Sequence, residues 1–193
     1  MILNPFPCPR AWRPCAAATL TVAILLMGLA ASPGSAQSSP QAADSLLAQA
    51  AELQKAKDYA GAERLYRQAL LEAPDDPEIL KALGVVCQAE GKYDESIEVF
   101  QRILKRAPLY PGVNGLLGTS YYSLNNFAKT IEAMQKELAG NPKDPQARYY
   151  FALALSSSGR LFEAIQQLEG LLADDPHDAA VLYQLVVDYR AAT

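Results

Sequence analysis

Chemistry-bearing residues are scarce in this 193-residue chain, and each shortage closes off a class of function. There is one histidine, His177, with no second imidazole to share a metal or relay a proton. Of three cysteines, Cys8 and Cys15 fall in an N-terminal segment unlike the rest, which leaves Cys87 alone in the body of the chain. A lone thiol cannot form an internal disulfide, and one His with one Cys cannot furnish a zinc site. No glycine-rich loop of the phosphate-cradling kind occurs. Acidic residues are missing entirely before Asp44, where Arg10 and Arg13 lie. Setting those two arginines aside leaves 15 basic against 21 acidic residues. Such an acidic body has no footprint for nucleic acid, which needs clustered Lys and Arg, and is repelled by anionic lipid.

Aromatics are also few, at 8%, while half of the chain is apolar and alanine is abundant. This mix supports a buried core and suits close-packed helices better than a sheet.

Residues 1–36 read as an address. Arg10 and Arg13 precede an uncharged run of 16 residues, Ala16 to Ala31, followed by Ser32, Pro33, Gly34, Ser35 and Ala36. A positive start, an apolar middle and a small-residue exit make a secretory signal, with cleavage expected after Ala36. Spanning a bilayer takes roughly 20 residues, so a retained anchor is the alternative. Both Cys8 and Cys15 precede the run, which rules out lipid attachment to a cysteine just after it.

The remainder repeats itself. Pro74, Pro108, Pro142 and Pro176 are evenly spaced, 34 residues apart. The same step carries small residues at Ala50, Gly84, Gly118 and Ala152, and again at Ala62, Ser96, Thr130 and Ala164. It carries Leu53, Cys87, Tyr121 and Leu155, a turn column of Lys57, Gly91, Asn125 and Gly159, and Tyr59, Tyr93, Phe127 and Leu161. Bulky residues recur at Tyr66, Phe100, Met134 and Leu168. Within each unit the apolar positions fall at helical spacing, as in Leu80, Leu83 and Cys87, then Ile97, Phe100 and Ile103. The turn column divides the unit into two helices. Asp76 before Pro77, and Asp144 before Pro145, are N-caps with a first-turn proline. Small residues let the two helices approach closely, and the bulky column fills space between units. One hairpin cannot bury its apolar face, so stacked hairpins form a continuous core.

These columns resemble the tetratricopeptide repeat, a 34-residue helix–turn–helix unit with small residues at two crossings and a terminal proline. The clearest copy runs through Leu83, Gly84, Tyr93, Ser96, Phe100 and Pro108. The expected fold is therefore all-α: a right-handed superhelical solenoid of about four hairpins plus a C-terminal capping helix. Its divisions are the address (1–36), a linker (37–42), units at 43–76, 77–110, 111–144 and 145–178, and the capping helix (179–193). Leu182, Leu185 and Tyr189 carry the register inward along that last helix, and Gln184, Asp188 and Arg190 are expected on its polar outer side.

The match has departures. Leu46, Leu80, Asn114 and Arg148 stand where the family has a large aromatic, and Glu137 replaces an apolar or small residue. Gly112 and Gly115 lie in the third unit's first helix, where each glycine costs roughly 1 kcal/mol relative to Ala. That unit is expected either to be the least stable or to admit a close backbone contact.

The resemblance implies that first helices line a concave groove for an extended or helical peptide. By register its columns are Leu47, Lys81, Gly115, Tyr149 and Tyr183; then Ala51, Val85, Thr119, Leu153 and Val187; then Gln54, Gln88, Tyr122, Ser156 and Arg190. The groove expected to touch a partner comprises Leu47, Gln54, Lys81, Val85, Gln88, Thr119, Tyr122, Tyr149 and Tyr183. Two readings of Tyr122, Tyr149 and Tyr183 stand side by side, a contact surface and packing between units. Tyr121 and Tyr150 are expected in the core. Lys81 has Val85 one turn on rather than asparagine, so the Lys–Asn clamp by which some relatives hold a peptide carboxylate is not formed.

Candidate chemistry is thin. His177 lies between Asp175 and Asp178 in an inter-unit loop, where a base or metal ligand is a remote reading beside a solvated loop residue. The pairs Asp75–Asp76 and Asp174–Asp175 occupy equivalent loops and read as caps and solvated charge. No cofactor or metal site is expected. The sequence thus points to an exported, non-catalytic binding scaffold, periplasmic or secreted, with a protein or peptide partner and an assembly role in an envelope or secretion complex. A membrane-tethered adaptor is the alternative, and a small hydrolase using His177 the remote one.

Overall fold

The computed structural model describes residues 40–193, so the address reading of residues 1–36 and its anchor alternative lie outside the described residues. Among the described residues there are nine α-helices and no strand. They are α1 (Pro40–Lys55), α2 (Tyr59–Glu72), α3 (Pro77–Ala89), α4 (Tyr93–Arg106), α5 (Val113–Ser123), α6 (Phe127–Gly140), α7 (Pro145–Ser157), α8 (Leu161–Asp174) and α9 (Ala179–Ala192). Residues 40–42 of the expected linker belong to α1. No helix among them is long and apolar enough to cross a membrane.

The helices pair as hairpins, α1 with α2, α3 with α4, α5 with α6 and α7 with α8, and each hairpin stacks on the next. The first helices also touch their successors directly, α3 with α5, α5 with α7 and α7 with α9. No second helix packs on another second helix to a comparable degree among the described residues. The odd-numbered helices therefore occupy the inner, tighter side of the stack.

Local chemistry sets each corner. Lys57, Gly91, Asn125 and Gly159 all turn with positive φ, at 63°, 76°, 57° and 77°. The residues just before the four prolines, Ala73, Ala107, Asn141 and Asp175, end their helices with φ between −132° and −135°. A following proline ring disfavours the helical region for the residue before it, so these four bends share one cause. Asp76, Asp144 and Asp178 then cap α3, α7 and α9, their carboxylates accepting first-turn N–H groups.

Packing at the crossings follows the small-residue columns. Ala50, Gly84, Gly118 and Ala152 are all buried. A methyl group on Gly84 would collide with the Phe100 ring, and one on Gly118 would lie 2.6 Å from Met134 Cε. Cys87 is fully buried in the same core, beside Tyr66, Leu83 and Val86.

The third unit resolves its own departures. Tyr110 stands where α3, α7 and α9 have a capping Asp, and α5 begins late, after Gly112 with φ 76° and no side-chain cap. Glu137 of α6 supplies what is missing, since its Oε2 accepts the Gly115 N–H at 3.0 Å. A Cβ at Gly115 would sit 3.4 Å from Glu137 Cγ, in ordinary van der Waals contact. The reverse exchange occurs in the next hairpin, where Gly170 makes room for the Arg148 guanidinium, which also pairs with Asp174 at 2.6 Å. Gly115 thus offers its main-chain N–H to Glu137, while Gly112 turns the chain with positive φ.

Helix α9 differs from expectation. Asp188 is fully buried rather than outward, while Leu182 and Tyr189 are about half exposed. Helix α9 turns Val181, Leu185 and Asp188 inward and leaves Leu182, Tyr183, Val186, Val187 and Tyr189 facing out.

Candidate functional site

The inner side presents three columns from the odd-numbered helices. In the first, Leu47, Lys81, Gly115 and Tyr149 are half-buried, and Tyr183 is 72% exposed. Lys81 Nζ lies 3.4 Å from the Pro111 carbonyl oxygen and 5.9 Å from the Tyr110 ring centre. Burial raises the Tyr149 phenol above its ordinary pKa, with the Asp178 carboxylate adding to the effect. The second column, Ala51, Val85, Thr119 and Leu153, is half-buried throughout, with Val187 exposed.

The third column is occupied in holding the stack together. Gln88 Nε2 reaches the Leu116 carbonyl oxygen, Thr119 Oγ1 and Ser120 Oγ at 2.8, 2.8 and 2.7 Å. Ser120 in turn shares a hydrogen bond with Ser96 in the core. Two units later, Ser156 Oγ donates to Asp188 Oδ1 at 2.6 Å, and Gln184 Nε2 donates to the same oxygen. Gln54 Oε1 accepts from the Tyr66 hydroxyl. Gln88–Ser120 and Ser156–Asp188 are equivalent pairs, each 32 residues apart. The 34-residue step exposes this rule only when neighbouring units are read together, so single-unit reading missed it.

The tyrosines divide between the two readings. Tyr122 packs at the seam of units three and four, with ring centres 5.7 Å from Phe127 and 5.4 Å from Tyr150. Tyr149 meets Tyr150 edge-on at 6.1 Å but stays accessible on the inner side. Tyr183 is free, and Tyr121 is buried.

Gly115 makes the groove uneven. Where the other units carry Leu47, Lys81, Tyr149 and Tyr183, the third carries no side chain. A hollow of about 240 Å³ results, lined by Lys81, Gly112, Gly115, Leu116, Thr119 and Gln146. It sits midway along the inner side, flanked by the Lys81 and Tyr149 positions of the same column.

Outside the groove, a charge cluster ties the first two hairpins. Glu63 of α2 accepts from Lys92 and from Arg67, both at 2.6 Å, and Arg67 also reaches Glu95 of α4 at 2.5 Å. The Lys92 ammonium, helped by Arg67, holds the Glu63 carboxyl down to about 2 against the opposing effect of burial. Glu63, Cys87 and Glu95 bring ligand-type atoms within 4.8 Å of one another. The set does not suit a metal ion: two cations already neutralise its carboxylates, and burial pushes the Cys87 thiol up to about 11. A metal needs the thiolate.

His177 is exposed in its loop. Its flanking carboxylates are committed elsewhere, Asp175 to the His177 main-chain N–H and Asp178 to the start of α9. Asp76 caps as expected, but Asp75 does more than meet solvent, since it pairs with Arg102 at 2.8 Å and Arg106 at 2.7 Å.

Comparison with known proteins places the molecule. Profiles of the tetratricopeptide repeat match residues 53–120 and 125–189. The fold is similar to solved structures of MamA. One described as "Crystal structure of MamA protein" shares 21% identity, covers 78% of this chain and 82% of its own, and gives a TM-score of 0.72. Another, "MamA 41-end from Desulfovibrio magneticus RS-1", shares 19% identity over 78% of this chain and 85% of its own, with a TM-score of 0.75. A third, "MamA MSR-1 C2", is 23% identical over 78% and 86%, at 0.69. No curated protein sequence matches.

Proposed function

Because the chain belongs to the tetratricopeptide repeat family, we propose that it is an exported, non-catalytic scaffold that receives a peptide segment of a partner protein along the inner side of its solenoid. The observation that carries this is the inner surface itself. Two columns of half-buried side chains run its length, and a 240 Å³ hollow opens where Gly115 interrupts them. Helices that merely filled a core would bury these positions, and helices that merely faced water would not align them. Export rests on the residue 1–36 pattern, with release after Ala36 and an assembly role in the cell envelope as the setting. A mature mass lacking those residues supports release, and an intact N-terminus favours a membrane-tethered adaptor.

The groove is tested with a paired substitution, Lys81→Ala with Tyr149→Ala. Affinity for a co-purifying partner is expected to fall by about tenfold or more, because accessible aromatic anchors carry much of such binding. Unchanged circular dichroism would show that the fold survives. Undiminished affinity in the folded double variant contradicts the groove assignment.

A further inference from the structure

The third unit's departures leave a second opening next to the groove hollow. A cleft of about 440 Å³ lies between the α4–α5 loop and the end of α6. It shares Gly112 and Asp144 with the groove hollow, so the two adjoin. Its rim is apolar, with Leu109 83% exposed beside Tyr110 and Pro111. Its wall is polar and buried: Glu137 is only 8% exposed and Asn114 only 4%.

Both wall residues have acceptor oxygens to spare. Glu137 gives Oε2 to the Gly115 N–H, while Oε1 has no hydrogen-bond partner among the described residues. Asn114 uses its NH₂ on the Pro108 carbonyl oxygen, and its Oδ1 has none among them. No lysine or arginine of the described residues pairs with Glu137: the Lys136 ammonium on the cleft is held at 2.6 Å by Glu132, and the Lys81 ammonium at the Pro111 side is turned to the Pro111 carbonyl oxygen at 3.4 Å. Asp144 adds a second carboxylate, and the last turn of α6 carries no basic residue to offset its carbonyl end. The cleft is thus negative at its wall and apolar at its mouth.

We propose that this cleft takes a cationic side chain, arginine or lysine, from the peptide that lies in the groove. This rests on the groove reading and names the chemistry of the bound segment. A long basic side chain matches both parts of the cleft, laying its methylene stem along Leu109 and Pro111 and bringing its charge to Glu137 and Asn114. A partner recognised here carries a basic residue flanked by groove-contacting positions.

The test titrates the full chain with Nα-acetyl-argininamide, following backbone amide signals by NMR, with Nα-acetyl-norleucinamide as the uncharged probe of similar stem. Saturable shifts are expected at Gly112, Gly115 and Asn141 with the arginine compound, and not with the norleucine one. Glu137→Gln keeps an acceptor for the Gly115 N–H while removing the charge, and is expected to weaken binding by about tenfold. Asp144→Asn, which keeps its cap, serves as a second variant should Glu137→Gln disturb the unit. Equal response to both compounds, or no response at these amides, overturns the proposal. The Lys81/Tyr149 experiment reads the groove independently, so partner binding lost there with no arginine site here would sink this inference alone.

Discussion

At the scale of single residues, the column of small side chains decides how closely each hairpin closes. Gly84 and Gly118 occupy the same register but face different neighbours, a rigid Phe100 ring and a flexible Met134 thioether. Ala is already present in that column at Ala50 and Ala152, so the position is not closed to a methyl group in principle. Gly84→Ala is expected to destabilise the protein by about 2 kcal/mol, because the fully buried ring has nowhere to go. Gly118→Ala is expected to cost less, on the order of 1 kcal/mol or under, since the Met134 methyl can swing aside. Urea unfolding of the two variants measures the difference, and an equal cost would show that backbone approach rather than the facing side chain sets the limit. Much at this scale was legible in the sequence. The turn column, the capping aspartates and the buried Cys87 all followed from residue type and spacing. Asp188 did not: its type says surface, and the Ser156 and Gln184 donors brought by α7 and α9 offset its burial at Oδ1 alone, leaving Oδ2 buried with no partner among the described residues. Glu137 and Gly115 likewise looked like two separate irregularities, because 22 residues of sequence separate one contact.

At the scale of helices, α2 is tied to α4 by more than apolar contact. Glu63 is raised from solvent into a nest of Lys92 and Arg67, and its carboxyl is held from 4.5 down to about 2. A carboxyl lowered on folding contributes stability that is complete above the unfolded value and is lost as pH falls through the folded one. The contribution is on the order of 2 kcal/mol, discounted because Lys92 and Arg67 are partly exposed and screened by water. The urea midpoint should therefore decline as pH drops from 4.5 toward about 2, and Glu63→Gln should flatten that part of the decline. A variant whose decline matches the parent's assigns acid sensitivity to other carboxylates. Sequence reading found these helices but not this bond, because charges on neighbouring units' second helices meet only once the stacking distance is known.

For the whole molecule, the consequence of even phasing is a division of labour between two sides. The even-numbered helices carry ion pairs such as Arg67–Glu63 and Arg67–Glu95, while the odd-numbered ones bring Lys81, Gly115 and Tyr149 into one file. The all-α solenoid was readable from the 34-residue step, since each column names a contact that every unit makes. What the step could not supply is which inner positions are spent on the stack. Gln54, Gln88, Thr119, Tyr122 and Ser156 belong to the groove by register yet bond or pack with the protein itself, which leaves Lys81, Tyr149 and the hollow at Gly115 as its more accessible parts. The departures of unit three, read singly as flaws, together shape that hollow.

The division of sides is tested most directly by placing a photoreactive amino acid at Tyr149, on the inner side, and separately at Glu98, exposed on α4. Irradiation in the native host should give a discrete partner adduct from position 149 and none from position 98. A discrete adduct from position 98 with none from 149 would place the binding surface on the outer helices and contradict the account.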